Sequence, residues 1–201
     1  MITGRDRIAR AARELFDEHG PERFTMRAIG ARAGVSGAAI YRHFPDREAV
    51  LAEVLRGAYE RFVSYLACGL RGRTPLERLL RTGEGYLLFS LDHPRLYEAM
   101  FLRRDVAALR SFDELASGRG AGFQLLVDRV RECMTTGVLP RGDAAEVALV
   151  LWALVHGLAA LHLTGRFGDD RKSVERLFRR MARRAMRLLR GLKPPEGDVR
   201  S

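Results

Sequence analysis

The stretch FTMRAIGARAGVSGAAIYRHFPDREAVL, residues 24–51, contains the pattern that decides the fold. It predicts two short helices, about residues 26–33 and 37–43, joined at Gly34, where a positive φ costs a glycine nothing. Thr25 and Ser36 stand where a helix N-cap prefers a hydroxyl. This spacing fits a helix-turn-helix over residues 25–44, although helix pairs of this size also occur as purely structural elements.

The rest of the chain also shows helical periodicity, and no stretch alternates long enough to predict a strand, so the fold class is all-α. Ahead of the pair, a first helix from about Arg5 to His19 has one apolar stripe, and Gly20-Pro21 ends it. Asp92 and Pro94 predict the start of a short helix, whereas residues 104–122 are ambiguous. About nine helices are expected, the later ones over about residues 47–70, 75–91, 94–102, 123–137, 143–164 and 171–192.

Composition places the chain among soluble globular proteins, since 47% of its 201 residues are hydrophobic and 30% are charged. The N-terminus passes straight into a charged amphipathic pattern, so no signal peptide is expected. The longest apolar run, residues 147–163, is shorter than the ~20 residues that cross a bilayer, which favours a buried helix at a core or a subunit interface. Cys68 and Cys133 are too far apart in sequence to suggest a metal site, and we expect reduced, mostly buried thiols in a cytoplasmic protein.

The net charge of +10 is concentrated near the C-terminus. Residues 1–50 contain nine arginines against seven acidic residues, whereas residues 166–193 contain eleven basic residues against three acidic ones. No broad basic field therefore surrounds the predicted helix-turn-helix, and DNA affinity must come from a few well-placed groups.

Residues 24–51 resemble the N-terminal domain of the TetR family of bacterial transcriptional regulators, through AGVS…IYRHF and the EAVL that follows a basic residue. The resemblance covers residues 5–55 strongly, and LWALVHGLAAL is similar to a subgroup marked by Trp152, His156 and Gly157. It implies a DNA-binding domain (residues 1–62) and an effector-binding and dimerisation domain (63–201). It further implies a cytoplasmic, ligand-responsive repressor that is not an enzyme. Such a protein binds a palindromic double-stranded DNA operator as a homodimer through its last two long helices, with no cofactor, metal or membrane partner.

The resemblance also implies DNA contacts from the second and third helices. A hydroxyl at a helix N-terminus, here Thr25, suits a phosphate contact. Arg27 and Arg42 are the long donors placed to reach base edges, with guanine O6 and N7 as the preferred acceptors. The sequence departs from the family pattern at Gly37-Ala38-Ala39, which permit a close approach to the groove and offer either methyl contacts to thymine or no base discrimination. The predicted DNA-binding residues are Thr25, Arg27, Ser36, Gly37, Ala38, Ala39, Tyr41, Arg42, His43 and Arg47.

An effector pocket is predicted from aromatic, methionine and histidine residues on the fifth to eighth helices, although each of them also suits a plain core. His156 and His162 lie six residues apart, about 240° round a helix, so they cannot share one metal ion. The candidate pocket residues are Tyr86, Phe89, Tyr97, Met100, Phe101, Phe123, Trp152 and His156.

The last helix leaves a further question, because arginines flank its apolar stripe. They form either a solvated face with buried stems or a basic patch for an acidic partner or anionic lipid. The alternatives to a regulator are a small-molecule-binding or catalytic helical protein, or a membrane-surface adaptor, in which the N-terminal hairpin is only structural. No nucleophile elbow is present, and GRGAG at 118–122 follows no predicted strand, so catalysis is not expected. The arginines that flank the apolar stripe of the last helix are Arg179, Arg180, Arg183, Arg184, Arg187 and Arg190.

Overall fold

The structure is a computed structural model that describes residues 3–102, 120–168 and 170–191. Within these ranges every regular element is helical and no residue lies in a strand, which confirms the all-α prediction. Most of the ambiguous segment and the C-terminal tail lie outside the described residues.

Nine α-helices lie in the described ranges, and two short 3-10 turns (Pro21–Arg23 and Cys68–Arg71) follow α1 and α4. The helices are α1 (Gly4–His19), α2 (Met26–Ala33), α3 (Gly37–Tyr41), α4 (Arg47–Ala67), α5 (Pro75–Asp92), α6 (Pro94–Phe101), α7 (Ala121–Thr135), α8 (Ala144–Leu163) and α9 (Arg171–Gly191).

Several predicted helix boundaries are wrong, and α7 lies two residues earlier in the chain than predicted. The third helix ends at Tyr41 instead of His43, and a turn leads into Pro45. A proline disfavours helical backbone at the residue before it, here Phe44, so the helix does not continue up to Pro45. The fourth helix ends at Ala67 and tightens into the 3-10 turn, whose Gly69 is a poor helix former. His93, not Asp92, is the N-cap of α6, since Asp92 is the last residue of α5.

The chain forms two compact units. The first contains the residues up to Phe62 together with the segment from Asp92 that includes α6, and the second contains Val63–Leu91 and α7–α9. Helix α6 thus packs with the N-terminal unit, although it lies in the sequence range predicted for the C-terminal domain. One contact in this packing joins His93 Nδ1 to Asp17 Oδ2 on α1, at 2.8 Å.

In the first unit, the apolar stripe of α1 packs against the helices that follow it. Phe16 meets Phe24 edge to face, with 5.3 Å between ring centroids. A Cβ on Gly30 would lie 3.0 Å from Ile40 Cδ1, so the absence of a side chain lets α3 cross close to α2. Gly34 caps α2 with a φ of 65°, as its place in the turn predicted. The buried residues of the predicted α1 stripe are Ile8, Ala12, Leu15 and Phe16.

In the second unit, a core joins α5, α7, α8 and α9. Val130 and Cys133 of α7 are completely buried, and Met186 anchors α9 to the same cluster. On α9, Val174 and Phe178 of the apolar stripe are buried as well.

Helix α8 is buried on one face only. Asp143 caps it and accepts hydrogen bonds from the amides of Ala145 and Glu146, so the helix begins before the apolar run and is 20 residues long. By length and composition α8 is long and apolar enough to cross a membrane, with a mean hydropathy of 1.9 over 18 residues. Only 22% of that window is buried. Within one chain, the helix is therefore buried as predicted on one face, and its other face is exposed.

Candidate functional site

The start of α2 is arranged as the resemblance implies for a phosphate contact. Thr25 Oγ1 accepts a hydrogen bond from the Ala28 amide at 3.2 Å, so its hydroxyl hydrogen can still donate to a phosphate oxygen. The first-turn amides of a helix have no partner within the helix and favour an anion. Arg27 follows in the same turn and is exposed.

Helix α3 presents small residues to solvent. Ser36 Oγ accepts from the Ala39 amide at 3.3 Å and so starts the helix. Gly37 and Ala38 are exposed, and a Cβ on Gly37 would meet nothing within 4 Å. Ile40, by contrast, is fully buried and fixes the orientation of the helix. The exposed residues in the first turn of α3 therefore present main chain and a methyl group.

Three longer side chains stand at the end of α3. Tyr41 is 57% exposed, and Arg42 and His43 are exposed in the turn that follows. The His43 ring packs against Gly4, since a Cβ built on Gly4 would lie 3.0 Å from His43 Nε2. Among the described residues, neither Arg27 nor Arg42 has a hydrogen bond or ion pair, so both guanidinium groups are available to an external acceptor.

Arg47 has a structural role that the sequence reasoning missed. Its Nε donates to the Phe24 carbonyl at 2.8 Å, and its guanidinium lies 5.5 Å from the Phe24 ring centroid. The side chain thus ties the start of α4 to the segment before α2. Its Nη1 also lies 3.6 Å from Glu48 Oε1. The phosphate contact that the resemblance implies for Arg47 stays a prediction.

Two other arginines near the helix-turn-helix are engaged within the chain. Arg32 binds both carboxylate oxygens of Glu18, at 2.7 and 2.6 Å, and this hydrogen bonding lowers the pKa of Glu18. Arg5 lies over the Phe44 ring at 4.9 Å and binds Glu53 at 2.7 Å. In both pairs the acidic partner lies on another helix and meets the arginine only in the folded chain. No local sequence signal could therefore have identified these pairs.

Four of the eight predicted effector residues come together around one hydroxyl in the second unit. Trp152 Nε1 donates to Tyr86 Oη at 3.3 Å, and the same hydroxyl lies 2.8 Å from His156 Nδ1. Phe123 on α7 packs on Trp152, with 5.5 Å between ring centroids. Because an indole N–H can only donate, a consistent arrangement has Tyr86 accept from Trp152 and donate to His156.

This environment favours the uncharged form of His156. Burial lowers the pKa of His156, which favours the neutral ring. With Nδ1 accepting, the neutral tautomer carries its proton on Nε2. The cluster of Tyr86, Phe123, Trp152 and His156, called here the Tyr86 cluster, is therefore apolar and neutral with a few directional polar groups.

The four other predicted pocket residues are Phe89 on α5 and three residues on α6. Phe89 is buried against Tyr65, at 5.6 Å between ring centroids. Tyr97, Met100 and Phe101 lie on α6, which belongs to the first unit. A groove of about 550 Å³ between α7 and α8 contains none of the eight predicted residues; it is lined by Arg131, Met134, Thr135, Arg141, Gly142, Asp143, Ala144 and Ala145.

The cysteines and histidines of the described residues do not form a metal cluster. Cys133 is buried, and burial raises the pKa of its thiol to about 11. Cys68 is exposed, contrary to the expectation of two mostly buried thiols, because it follows the end of α4 in the 3-10 turn.

Two family models match the chain. The model described as bacterial regulatory proteins, tetR family, matches residues 8–54. The model described as tetracyclin repressor-like, C-terminal domain, matches residues 79–185, which is more than half of the chain. Assignment to a Trp-His-Gly subgroup stays a prediction.

Individual relatives agree with these models. The HTH-type transcriptional repressor KstR of Rhodococcus jostii (strain RHA1) is 31% identical over 150 residues, which are 73% of this chain and 66% of that protein. The HTH-type transcriptional repressor KstR2 of the same strain is 35% identical over 75 residues, or 35% of this chain and 37% of that protein. The chain thus matches less than two thirds of the length of either relative. The solved structure of the TetR family transcriptional regulator PfmR from Thermus thermophilus has a TM-score of 0.66 at 23% identity, covering 96% of this chain and 99% of that chain, which shows a shared fold.

Proposed function

The chain belongs to the TetR family of bacterial transcriptional regulators, and we propose that it is a ligand-responsive repressor that binds a palindromic operator as a homodimer. The observation that carries this proposal is the exposed face of α2 and α3, where a capped helix start, two unengaged arginines and a small-residue helix occur together. We assign DNA binding to residues 1–62 and effector binding with dimerisation to residues 63–201. Repression is favoured over activation because the two Rhodococcus relatives are named repressors. No catalytic role is proposed, and the protein acts in the cytoplasm.

The proposed division of labour on DNA follows from side-chain length. Arg27 and Arg42 read base edges, with guanine O6 and N7 as the preferred acceptors. Thr25, Ser36, Tyr41, His43 and Arg47 position the protein on phosphates. Gly37, Ala38 and Ala39 let the backbone of α3 approach the floor of the groove.

Effector binding is assigned to the Tyr86 cluster. A neutral, partly buried set of aromatic rings with a tyrosine–histidine hydrogen bond suits an apolar molecule that carries one or two hydrogen-bonding groups. Its binding shifts the dimer to a state in which the two reading helices no longer fit half-sites about one helical turn apart.

The test is an electrophoretic mobility shift on the DNA that flanks the protein's own gene, repeated over a salt titration. Specific binding should survive competition by random DNA and should weaken steeply with salt, because phosphate contacts release counterions. Equal affinity for flanking and random DNA at low salt would contradict the proposal. Turnover in a hydrolase screen would instead support the alternative of a catalytic helical protein.

A further inference from the structure

The two halves of α9 differ in how their positive charges are balanced. In the first half, Arg171 Nε lies 3.0 Å from Glu175 Oε1. Arg179 Nη2 likewise lies 2.9 Å from Glu84 Oε1 on α5. From residue 180 to residue 191, by contrast, the sequence contains five arginines and no acidic residue. The second half of α9 therefore carries a positive charge that its own sequence does not balance.

Four of these five arginines share one face of the helix. Residues three and four positions apart are neighbours on a helix surface, so positions 180, 183, 184 and 187 form a stripe that covers about 10.5 Å of the helix axis. All four side chains are exposed, and none has a hydrogen bond or an ion pair within the residues that the structure describes. The opposite face of α9 is buried through Phe178 and Met186. The four residues, called here the Arg184 stripe, are Arg180, Arg183, Arg184 and Arg187.

The spacing of the Arg184 stripe makes its charges repel one another. Arg180 and Arg184 lie four residues apart, as do Arg183 and Arg187, and like charges at this spacing destabilise a helix. A helix face that serves solubility alone ordinarily intersperses both signs of charge. A dense external anion would relieve the repulsion that the stripe suffers in the isolated chain.

We propose that the Arg184 stripe is a sequence-independent contact with nucleic acid, in which its guanidinium groups bind backbone phosphates. This inference rests on the proposed function as a DNA-binding protein, and it adds a contact in the second unit to the helix-turn-helix of the first. Its role is to supply affinity for any duplex, whereas the helix-turn-helix supplies the choice of sequence.

Charge spacing favours phosphates as the bound groups. Four charges over about 10.5 Å are about 3.5 Å apart along the helix axis, and the phosphates of one DNA strand are about 3.4 Å apart along the duplex axis. All four cations of the stripe are arginines, whose planar fork binds phosphate with two parallel hydrogen bonds and is preferred over lysine for nucleic-acid contacts.

The distribution of charge along the chain favours DNA as the source of the phosphates. Sequence-independent affinity for DNA comes from the neutralisation of phosphates by basic residues. Residues 1–50, which include the helix-turn-helix, contain nine arginines against seven acidic residues, whereas residues 166–193 contain eleven basic residues against three. The cationic surplus that such affinity requires is therefore concentrated around α9.

An anionic bilayer would match the charge of the stripe but not the rest of the helix. A helix that binds a membrane surface buries its apolar face at the boundary between headgroups and acyl chains. The apolar face of α9 is already buried within the chain, where Met186 belongs to the core that joins α5, α7 and α8. A bilayer would thus gain the charge contact alone.

The experiment compares Arg180→Gln/Arg184→Gln with the wild type by fluorescence anisotropy on a labelled random duplex of about 20 base pairs, over about 50–200 mM salt. Arg171→Gln/Arg176→Gln is the matched control: it removes the same charge from the same helix, but from arginines that already have acidic partners. Each phosphate contact contributes about 0.9 to the slope of log K against log salt. The stripe variant should therefore lose about 1.8 of that slope, and the control should keep the wild-type slope.

A charge-conserving variant guards against a trivial loss of folding. Arg180→Lys/Arg184→Lys should retain the wild-type slope, because lysine also neutralises a phosphate. Circular dichroism and sedimentation check that helix content and oligomeric state are the same in all variants. Equal slopes in the stripe variant and the control would overturn the inference.

The outcome for the proposed function is read separately, from the preference for flanking DNA over random DNA. The stripe variant should keep that preference, since phosphate contacts carry no sequence information. Its absence in the wild type would contradict the proposed function, and the salt slopes would still decide on the stripe.

Two further outcomes would replace nucleic acid by another partner. If the wild type co-sediments with phosphatidylglycerol vesicles, the stripe variant does not, and the DNA slopes are equal, the partner is an anionic membrane and the inference is overturned. If polyglutamate displaces the duplex as well as unlabelled DNA does at equal total charge, carboxylates suffice. The phosphate assignment then fails in favour of an acidic protein surface.

Discussion

Gly37 in α3 and Gly157 in α8 are both helical glycines whose missing side chain would meet nothing in the chain, yet their surroundings differ. Around Gly37 the exposed residues are the small Ser36 and Ala38 and, one turn later, Tyr41, whose ring carries a polar hydroxyl. Around Gly157 the exposed neighbours are leucines and a valine, and burying such side chains stabilises a complex by about 25 cal/mol per Å². The difference indicates that the exposed face of α3 suits a polar groove, whereas the exposed face of α8 suits an apolar partner.

The largest effect should come from placing a charge on the α8 face. Leu149→Arg buries an unpaired cation in the proposed dimer interface. The free energy of dimerisation should therefore weaken by at least ~2 kcal/mol, the size of an interface hot spot. Operator affinity should fall with it, since one half-site is lost. Sedimentation equilibrium and a mobility shift measure both quantities. A variant that remains dimeric would show that the α8 face has another role.

The next largest effect is on the free energy of unfolding, and it distinguishes Gly30, which has close neighbours, from Gly37, which has none within 4 Å. Gly30→Ala places a Cβ 3.0 Å from Ile40 Cδ1 and 3.2 Å from the Val35 carbonyl oxygen, and such overpacking costs about 1–3 kcal/mol of unfolding free energy. Gly37→Ala, where space is open, should change stability by less than ~0.5 kcal/mol. Urea denaturation of both variants checks the contrast. Equal losses would mean that the space around Gly37 is needed for folding.

Arg42→Ala should weaken operator binding by about 1–3 kcal/mol if the side chain reads a base. Binding to random DNA should change much less, because a base contact carries sequence information and a phosphate contact does not. Fluorescence anisotropy on both DNAs measures the difference. An equal loss on both would reassign Arg42 to the phosphate backbone.

The smallest effect is the pH dependence of the Tyr86 cluster. Folding lowers the pKa of His156 below its ordinary value of 6.5, so the unfolded chain binds the proton more tightly. The stabilisation is fully present above that value and is lost as the pH falls through it toward the lower folded pKa. Urea midpoints measured between about pH 7 and pH 5 should fall more in the wild type than in His156→Gln. Parallel curves would show that this histidine does not titrate on unfolding.

The helix-turn-helix was predictable because its determinants are local. Thr25 and Ser36 cap their helices, Gly34 adopts the positive φ that the turn needs, and Gly30 is small where Ile40 crosses. Each of these roles depends on neighbours within about ten residues, so the sequence pattern and the family resemblance point to the same elements.

The effector site was predictable only as a set of residue types. Periodicity places Tyr97 and Tyr86 alike on inward faces, but it does not say that α6 packs on α1 through Asp17 while α5 meets α8. Long-range partners of this kind depend on how helices dock, which no local pattern encodes.

The sequence by itself determined the helices, their caps and the family, because these follow from backbone preferences and short-range spacing. Only the tertiary structure decided which arginines remain available for DNA, since Arg32 is engaged by Glu18 and Arg5 by Glu53 and the Phe44 ring. It also divided α8 into a buried face and an open one. An all-round apolar helix shows no preferred side in sequence, and its neighbours alone determine which side stays exposed.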